Sequence, residues 1–143
     1  MPFSIKRDVN DDLYSKIIRH GKNRCERCLR SRDLQCAHIM GRANKSTRWA
    51  LKPVKNAVAL CFSCHEWFDK HKIMACILEP KKRVFSPNDE SFTFLVAQCG
   101  YTWEDLTNLY IQSRLPYKSY KIKKQMITSH LKDTLLGLMK GGE

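Results

Sequence analysis

No stretch of this 143-residue chain approaches the roughly 18 consecutive apolar residues that cross a bilayer, so no membrane-spanning segment is expected. Met1-Pro2 leads into Lys6, Arg7 and Asp8 without an apolar run, so no leader is expected and a reducing cytosol is the expected compartment. Internal repeats and low-complexity tracts are also absent. What remains is one ordinary domain, or a small metal-stapled core with helical additions at its ends. Acidic residues are scarce, 14 against 26 Lys and Arg, for a net charge of +12. The scarcity is local: residues 14–60 carry twelve Lys and Arg against only Glu26 and Asp33. A field concentrated in that way attracts a polyanion and releases its counterions, which makes nucleic acid the expected partner.

Seven cysteines in a reducing compartment point to metal or redox chemistry rather than to a disulfide scaffold. Four of them form two knuckles, Cys25-Glu-Arg-Cys28 and Cys61-Phe-Ser-Cys64, separated by 32 residues. Two such pairs can surround one tetrahedral Zn²⁺ with four thiolates, the closed set of a structural site. A redox pair of the thioredoxin kind would open a helix after a strand in a βαβ unit, and neither pair is expected to do so. Cys36, Cys76 and Cys99 lack near partners in sequence and are expected as ordinary buried thiols.

The spacing of apolar residues predicts a short helix over Asp11–His20, with Leu13, Tyr14, Ile17 and Ile18 on one face and a stop at Gly21. Apolar runs predict strands over Leu34–Met40 and Ala57–Leu60. Between them Gly41–Lys55 holds Arg42, Lys45, Arg48, Lys52 and Lys55 and no acidic residue, a length and charge that suit nucleic-acid contact. A helix is expected from the second knuckle through Cys76, since no breaker intervenes before Pro80. Beyond Pro80 only helices are expected: one capped by Asp89 or Ser91 and running to Gly100, one opened by Thr102-Trp-Glu-Asp105 as a capping box, and one after Pro116. The last carries Ile122, Met126, Ile127, Leu131, Leu135 and Leu138 at helical spacing, a stripe for core packing or for a homodimer.

The order Cys-x-x-Cys, Ala37-His38, Asn56, Cys-x-x-Cys-His65 resembles the HNH endonuclease superfamily, over Cys25 to about Lys72. Cys36-Ala-His-Ile-Met-Gly-Arg42, Ser46-Thr-Arg-Trp49 and Asn56-Ala-Val-Ala-Leu-Cys61 look like the phage recombination nucleases of the NinG type, and the four-cysteine frame is shared with the endonuclease VII family. The resemblance implies an α+β fold: a zinc-stabilised ββα-metal core over residues 25–75, a helical lead-in over 1–24 and a helical extension over 76–143. It implies His38 as the general base toward water, a task suited to an imidazole whose unperturbed pKa is about 6.5. Asn56 would hold the hairpin loop against the base-bearing strand. His65 would be a ligand to a catalytic Mg²⁺ or Mn²⁺, and Asp69, at i+4 on the same helix face, joins it as a candidate. Arg42 and Arg48 would grip phosphates by guanidinium geometry. Many HNH sites carry Asp or His immediately before the base, whereas this chain has Ala37, so fewer protein ligands are expected for that cation.

These residues together predict a metal-dependent DNA endonuclease acting on double-stranded or branched DNA in phage recombination or processing, in the cytosol of the bacterial host. Nothing resembles a recognition helix, so backbone contact without much sequence reading is expected. The competing reading is a non-catalytic zinc module that binds nucleic acid, for which Ala37 speaks. A structural zinc protein docking a partner through its C-terminal helices is a third, and it leaves the basic segment unexplained.

Overall fold

Asp8 and Asp11 open the first helix, α1 (Val9–Arg19), by a reciprocal capping box: Asn10 N–H donates to the Asp8 side chain and Asp8 N–H to Asp11 Oδ2, at 2.9 and 2.8 Å. This computed structural model describes residues 8–40, 47–51, 54–71, 75–79, 82–86, 89–113 and 120–141, with backbone alone at 75–79, 82–86, 89 and 120–123. The helix ends where expected, at Gly21, whose φ of +73° is the left-handed conformation that glycine adopts without strain. Tyr14, Ile17 and Ile18 are buried on its inner face, while Leu13 is only partly covered.

β1 (Leu34–His38) and β2 (Ala57–Cys61) form an antiparallel hairpin with Cys36 opposite Ala59 and His38 opposite Ala57. β1 is two residues shorter than the sequence predicts. Ile39 N–H still bonds to the Asn56 carbonyl at 2.8 Å, but Met40 N–H goes to the Asn56 side chain, so a side chain replaces the next rung. Every residue of β2 is buried, because both faces of the hairpin are covered. Ala57 and Ala59 point to a cluster with Tyr14, Ile17, Ile18, Trp49 and Leu131; Val58 and Leu60 point to one with Ala37, Phe68, Phe94, Leu95, Leu106 and Leu109. Strand alternation thus puts α1 and the helix carrying Leu131 on one side and the helices carrying Phe68, Phe94 and Leu106 on the other.

α2 (Phe62–Lys70) starts inside the second knuckle, directly after β2. The helix predicted to run on to Cys76 stops at Lys70, with His71 capping it, and a second antiparallel hairpin follows, β3 (Ala75–Glu79) and β4 (Lys82–Ser86). The expectation of helix alone beyond Pro80 is therefore corrected. Ile77 pairs with Val84 and Cys76 with Phe85, so β-branched and aromatic residues on both sides of Pro80-Lys81 favour strand pairing over helix continuation. α3 (Asp89–Cys99) and α4 (Trp103–Ser113) come as predicted, and Thr102 and Asp105 exchange the two hydrogen bonds of a capping box, both 3.0 Å. α5 (Tyr120–Lys140) lies against α1: Leu131 is fully buried there, Ile127, Leu135 and Leu138 partly, while Met126 is exposed. Asn10 accepts from Thr128 at 2.6 Å, and Lys124 pairs with Asp8. The fold is α+β, with five helices and two two-stranded sheets among the described residues, and none of these helices is long and apolar enough to cross a membrane.

A buried ion pair joins α1 to the segment between β1 and β2. Arg48 donates through Nε to Asp11 Oδ1 at 3.0 Å and through Nη2 to Asp11 Oδ2 at 2.6 Å, with the two side chains 8% and 2% exposed. Trp49 Nε1 adds a third donor to the same carboxylate at 2.9 Å. Burial opposes ionisation of Asp11, but these donors and the Asp8 N–H outweigh it and hold its pKa below the ordinary 3.8. Stability from this group is therefore fully present above the unfolded carboxylate pKa and is lost as the pH falls through the lower folded value. Asp11→Ala leaves Arg48 charged in the interior, with an expected loss of about 3–5 kcal/mol. In urea titrations at a series of pH values, the difference between wild type and Asp11→Ala should hold from neutral pH down to about pH 5 and shrink below pH 4.

Candidate functional site

The first knuckle makes a tight turn. Cys25 N–H donates to the Arg30 carbonyl at 3.0 Å, Leu29 N–H to the Cys25 carbonyl at 2.9 Å, and Cys28 N–H points at Cys25 Sγ at 3.5 Å. Leu29 takes a left-handed φ of 64° to close it, a conformation costing roughly 1–2 kcal/mol for a residue with a Cβ. Glu26 fastens the turn to the outer edge of β2 by exchanging backbone and side-chain hydrogen bonds with Ala59, at 3.0 and 2.7 Å. That contact also covers a strand edge that would otherwise be open. From α3, Gln98 Nε2 donates to the carbonyls of Glu26 and Arg27, at 3.1 and 2.8 Å.

The second knuckle brings Cys61, the last residue of β2, and Cys64, in the first turn of α2, against the first. All four Sγ atoms lie within 4.8 Å of one another, and Cys28 and Cys61 are 3.8 Å apart. Thiolates at 2.3 Å from a tetrahedral zinc stand about 3.8 Å from each other, so the donor set and its size fit such an ion. Among the described residues this is the only cluster of three or more His, Cys, Asp or Glu side chains placed to hold a metal. Burial opposes ionisation of Cys25, yet the N–H groups of Cys28, Cys61 and Arg27, with the Cys64 thiol, lower its pKa to about 6. Burial and the neighbouring sulfurs push Cys64 up to about 12, although Arg27 donates to it at 3.6 Å. Arg27 also stacks its guanidinium 3.7 Å from the centre of the Trp67 ring. The second pair opens a helix after a strand, as the sequence predicts for the second knuckle. That strand belongs to an antiparallel hairpin, and the pair faces two further thiols, which distinguishes it from a redox motif.

His38 closes β1 on the face turned to α1, where its ring stacks on Tyr14 with centroids 5.5 Å apart. It is 9% exposed, and its Nε2 lies 2.9 Å from the Arg48 carbonyl. A carbonyl oxygen only accepts, so Nε2 carries a proton and the basic nitrogen of the neutral ring is Nδ1. Asn56, fully buried, uses its whole side chain on backbone: Oδ1 accepts from Met40 N–H at 2.8 Å, and Nδ2 donates to Met40 and Thr47 carbonyls at 3.0 and 2.9 Å. It ties together both ends of the segment between the strands. Tyr14 completes the wall, its hydroxyl donating to the Ala50 carbonyl at 2.5 Å and accepting from Asn56 N–H at 3.0 Å. Burial raises the Tyr14 pKa well above the usual phenol value, so the hydroxyl keeps its proton as donor.

His65 and Asp69 lie on the same face of α2, with Nε2 and Oδ2 3.5 Å apart. The Gln35 amide oxygen stands 2.7 Å from His65 Nδ1, so Nδ1 donates and Nε2 presents its lone pair toward Asp69. A lone pair facing a carboxylate is an arrangement that a cation or a proton between them stabilises. Among the described residues no third ligating side chain joins them. Ala37, fully buried on this face of β1, adds none. Gln35 was not picked out in the sequence; its one signal is its place two residues before Ala37, on the same side of the strand.

Of the basic residues expected to contact nucleic acid, Arg42, Lys45 and Lys52 lie outside the described residues. Lys55 is exposed, its carbonyl held by the Tyr101 hydroxyl at 2.5 Å. Arg48 departs from expectation: its guanidinium is buried on Asp11, where a phosphate does not reach, because pairing with a capping carboxylate outweighs leaving it in solvent. Cys36 and Cys99 are partly buried, and burial pushes the Cys99 thiol up to about 12. His71 caps α2 with Nδ1 on the Trp67 carbonyl at 2.8 Å and Nε2 toward Glu90 at 3.1 Å, away from any ligand role.

Comparison with protein-family models, with curated proteins and with solved structures finds no match for the chain. The four-thiol geometry carries its own test. The purified protein is expected to contain one tetrahedral thiolate-bound metal ion per chain by elemental analysis, and its cobalt-substituted form to show sulfur-to-cobalt charge-transfer bands. Cys61→Ser should lose both and lower Tm by on the order of 10 °C, since metal binding contributes folding free energy directly.

Proposed function

We propose that this protein is a metal-dependent DNA endonuclease of the HNH kind, with a zinc-bound ββα-metal core similar to that of the phage recombination nucleases of the NinG type. The observation that supports this most is the state of His38. Its Nε2–H is committed to the Arg48 carbonyl, so the neutral ring holds its lone pair at Nδ1, as a general base toward water requires. Asn56 and His65 add support by their positions, the first holding the segment beside the base, the second on the helix that follows the hairpin.

In the proposed reaction His38 Nδ1 takes a proton from water, the oxygen attacks phosphorus, and the bond to the 3′ oxygen breaks. The products are a 5′-phosphate and a 3′-hydroxyl, the leaving oxygen collecting a proton from solvent. His65 and Asp69 would hold a Mg²⁺ or Mn²⁺, which supplies Lewis-acid stabilisation of charge on the phosphate and the leaving oxygen. Gln35 keeps the His65 tautomer that ligation requires. A zinc ion held by Cys25, Cys28, Cys61 and Cys64 would serve the frame alone, the four thiolates completing its ligand set. Arg42, Lys45, Lys52 and Lys55 supply the contacts to DNA backbone, and double-stranded or branched DNA in phage recombination, inside the host cytosol, is the proposed setting. The apolar residues that α5 leaves exposed, among them Met126, Leu136 and Met139, would serve a homodimer.

A second reading, a zinc module that binds nucleic acid without cutting it, is favoured by Ala37, which leaves His65 and Asp69 as the candidate cation ligands among the described residues. Plasmid nicking separates the two. Wild type should nick supercoiled DNA with Mg²⁺ or Mn²⁺ and stop with EDTA, and His38→Ala should cut about 10²- to 10⁴-fold more slowly with DNA binding and folding retained. No cleavage with any divalent ion, alongside unchanged DNA binding by His38→Ala, would favour the binding module.

A further inference from the structure

His38 Nε2–H meets the Arg48 carbonyl at 2.9 Å. That carbonyl sits in a turn, residues 47–49, whose neighbouring groups are each held from elsewhere in the fold. The Thr47 carbonyl accepts from Asn56 Nδ2 at 2.9 Å and from Ala50 N–H at 3.0 Å, and the Ala50 carbonyl accepts from Tyr14 at 2.5 Å. The side chains of the two central residues, Arg48 and Trp49, both end on the Asp11 carboxylate. Asp11 is in turn fixed at the start of α1, three residues before the Tyr14 that stacks on the His38 ring. One helix therefore determines the plane of the imidazole through Tyr14 and the acceptor for its Nε2 through Asp11.

We infer that Asp11 is a positioning residue for the His38 base, selecting its Nε2–H tautomer by holding the Arg48–Trp49 turn at hydrogen-bond distance. The inference rests on the nuclease reading for its catalytic meaning and on the contacts above for its structural content. A neutral imidazole carries one proton on either nitrogen, and the acceptor it meets decides which. If the turn relaxes, the Arg48 carbonyl moves off Nε2 and the proton redistributes between Nε2 and Nδ1, which lowers the fraction of rings with Nδ1 unprotonated. A side chain paired at both oxygens resists this motion, because the guanidinium fork holds only one orientation against a carboxylate. Asp11 touches neither water nor phosphate in this scheme, and its effect is on the fraction of His38 able to accept a proton.

The test uses the full chain with its metal bound and reads the His38 ring nitrogens by long-range ¹H–¹⁵N correlation, beside plasmid nicking with Mn²⁺. Wild type should show the Nε2–H form. Asp11→Asn, which keeps the shape and loses the charge, should show a mixture of tautomers, with turnover down by about 10- to 100-fold, a part of what a positioned base contributes, and with KM for DNA little changed. Arg48→Lys retains a cation for Asp11 but not the fork, so it repeats the measurement if Asp11→Asn does not fold. Its expected outcome is the same mixture. A single Nε2–H form with unaltered turnover in a folded variant of either kind would overturn the inference. If wild type cuts no DNA, the nuclease reading falls, and the tautomer comparison still decides whether Asp11 controls His38.

Discussion

Four N–H donors converge on the carboxylate of Asp11: its own capping partner Asp8, the two arms of Arg48, and the indole of Trp49. An isolated carboxylate at 2% exposure would be costly to charge, and so would the guanidinium opposite it. Together, and with every strong acceptor direction used, they form a joint that cannot be opened by one partner alone. The joint matters because it anchors residues 47–49, midway between β1 and β2, to α1. That segment stays in place through side chains that reach it from α1, from Asn56 and from Tyr14. α1 is itself held by α5, where a fully buried Leu131 contributes about 2–5 kcal/mol relative to alanine.

The hairpin divides the molecule into two faces with different stabilisation. On the α1 face polar contacts dominate around His38, Asn56, Arg48 and Tyr14, all buried. On the opposite face the cluster of Val58, Leu60, Phe68, Phe94, Leu95, Leu106 and Leu109 joins the hairpin to α2, α3 and α4, and the thiol cluster lies at its border. Gln98 on α3 reaches the first knuckle, so the C-terminal helices brace the metal frame rather than merely following it. The segments read along the sequence as lead-in, core and extension therefore share two continuous cores.

What could be read from the sequence was what depends on near neighbours. Cys-x-x-Cys spacing is a property of one turn, Gly21 and the Thr102–Asp105 box mark helix ends locally, and the apolar run Ala57–Leu60 is visible over four residues. His65 and Asp69 were brought together by helical spacing alone. The contacts that escaped are long-range choices. Arg48 looked like any basic loop residue, and only a carboxylate 37 positions away reveals it as interior. Gln35 pairs with His65 across 30 positions, and no periodicity announces that. The β3–β4 hairpin was missed because its apolar residues satisfy helical and strand patterns alike, and pairing of Ile77 with Val84 decides between them.

Ala37 is the point at which stability and the proposed chemistry compete. Its methyl group is fully buried in the cluster that contains Phe68, on the strand face that α2 covers. A carboxylate or imidazole there would add a ligand near His65, but it would also place a polar group inside an apolar cluster, where its desolvation must be met by a bound cation. With alanine the hairpin packs against α2 whether or not a cation is present, and folding is uncoupled from the second metal. On the nuclease reading the cost would fall on cation affinity, since His65 and Asp69 would leave most of the coordination sphere to water and phosphate. On the proposed reading the cation is then held well only when DNA supplies the missing oxygens, so metal and substrate bind in mutual dependence while the thiol frame remains permanently closed.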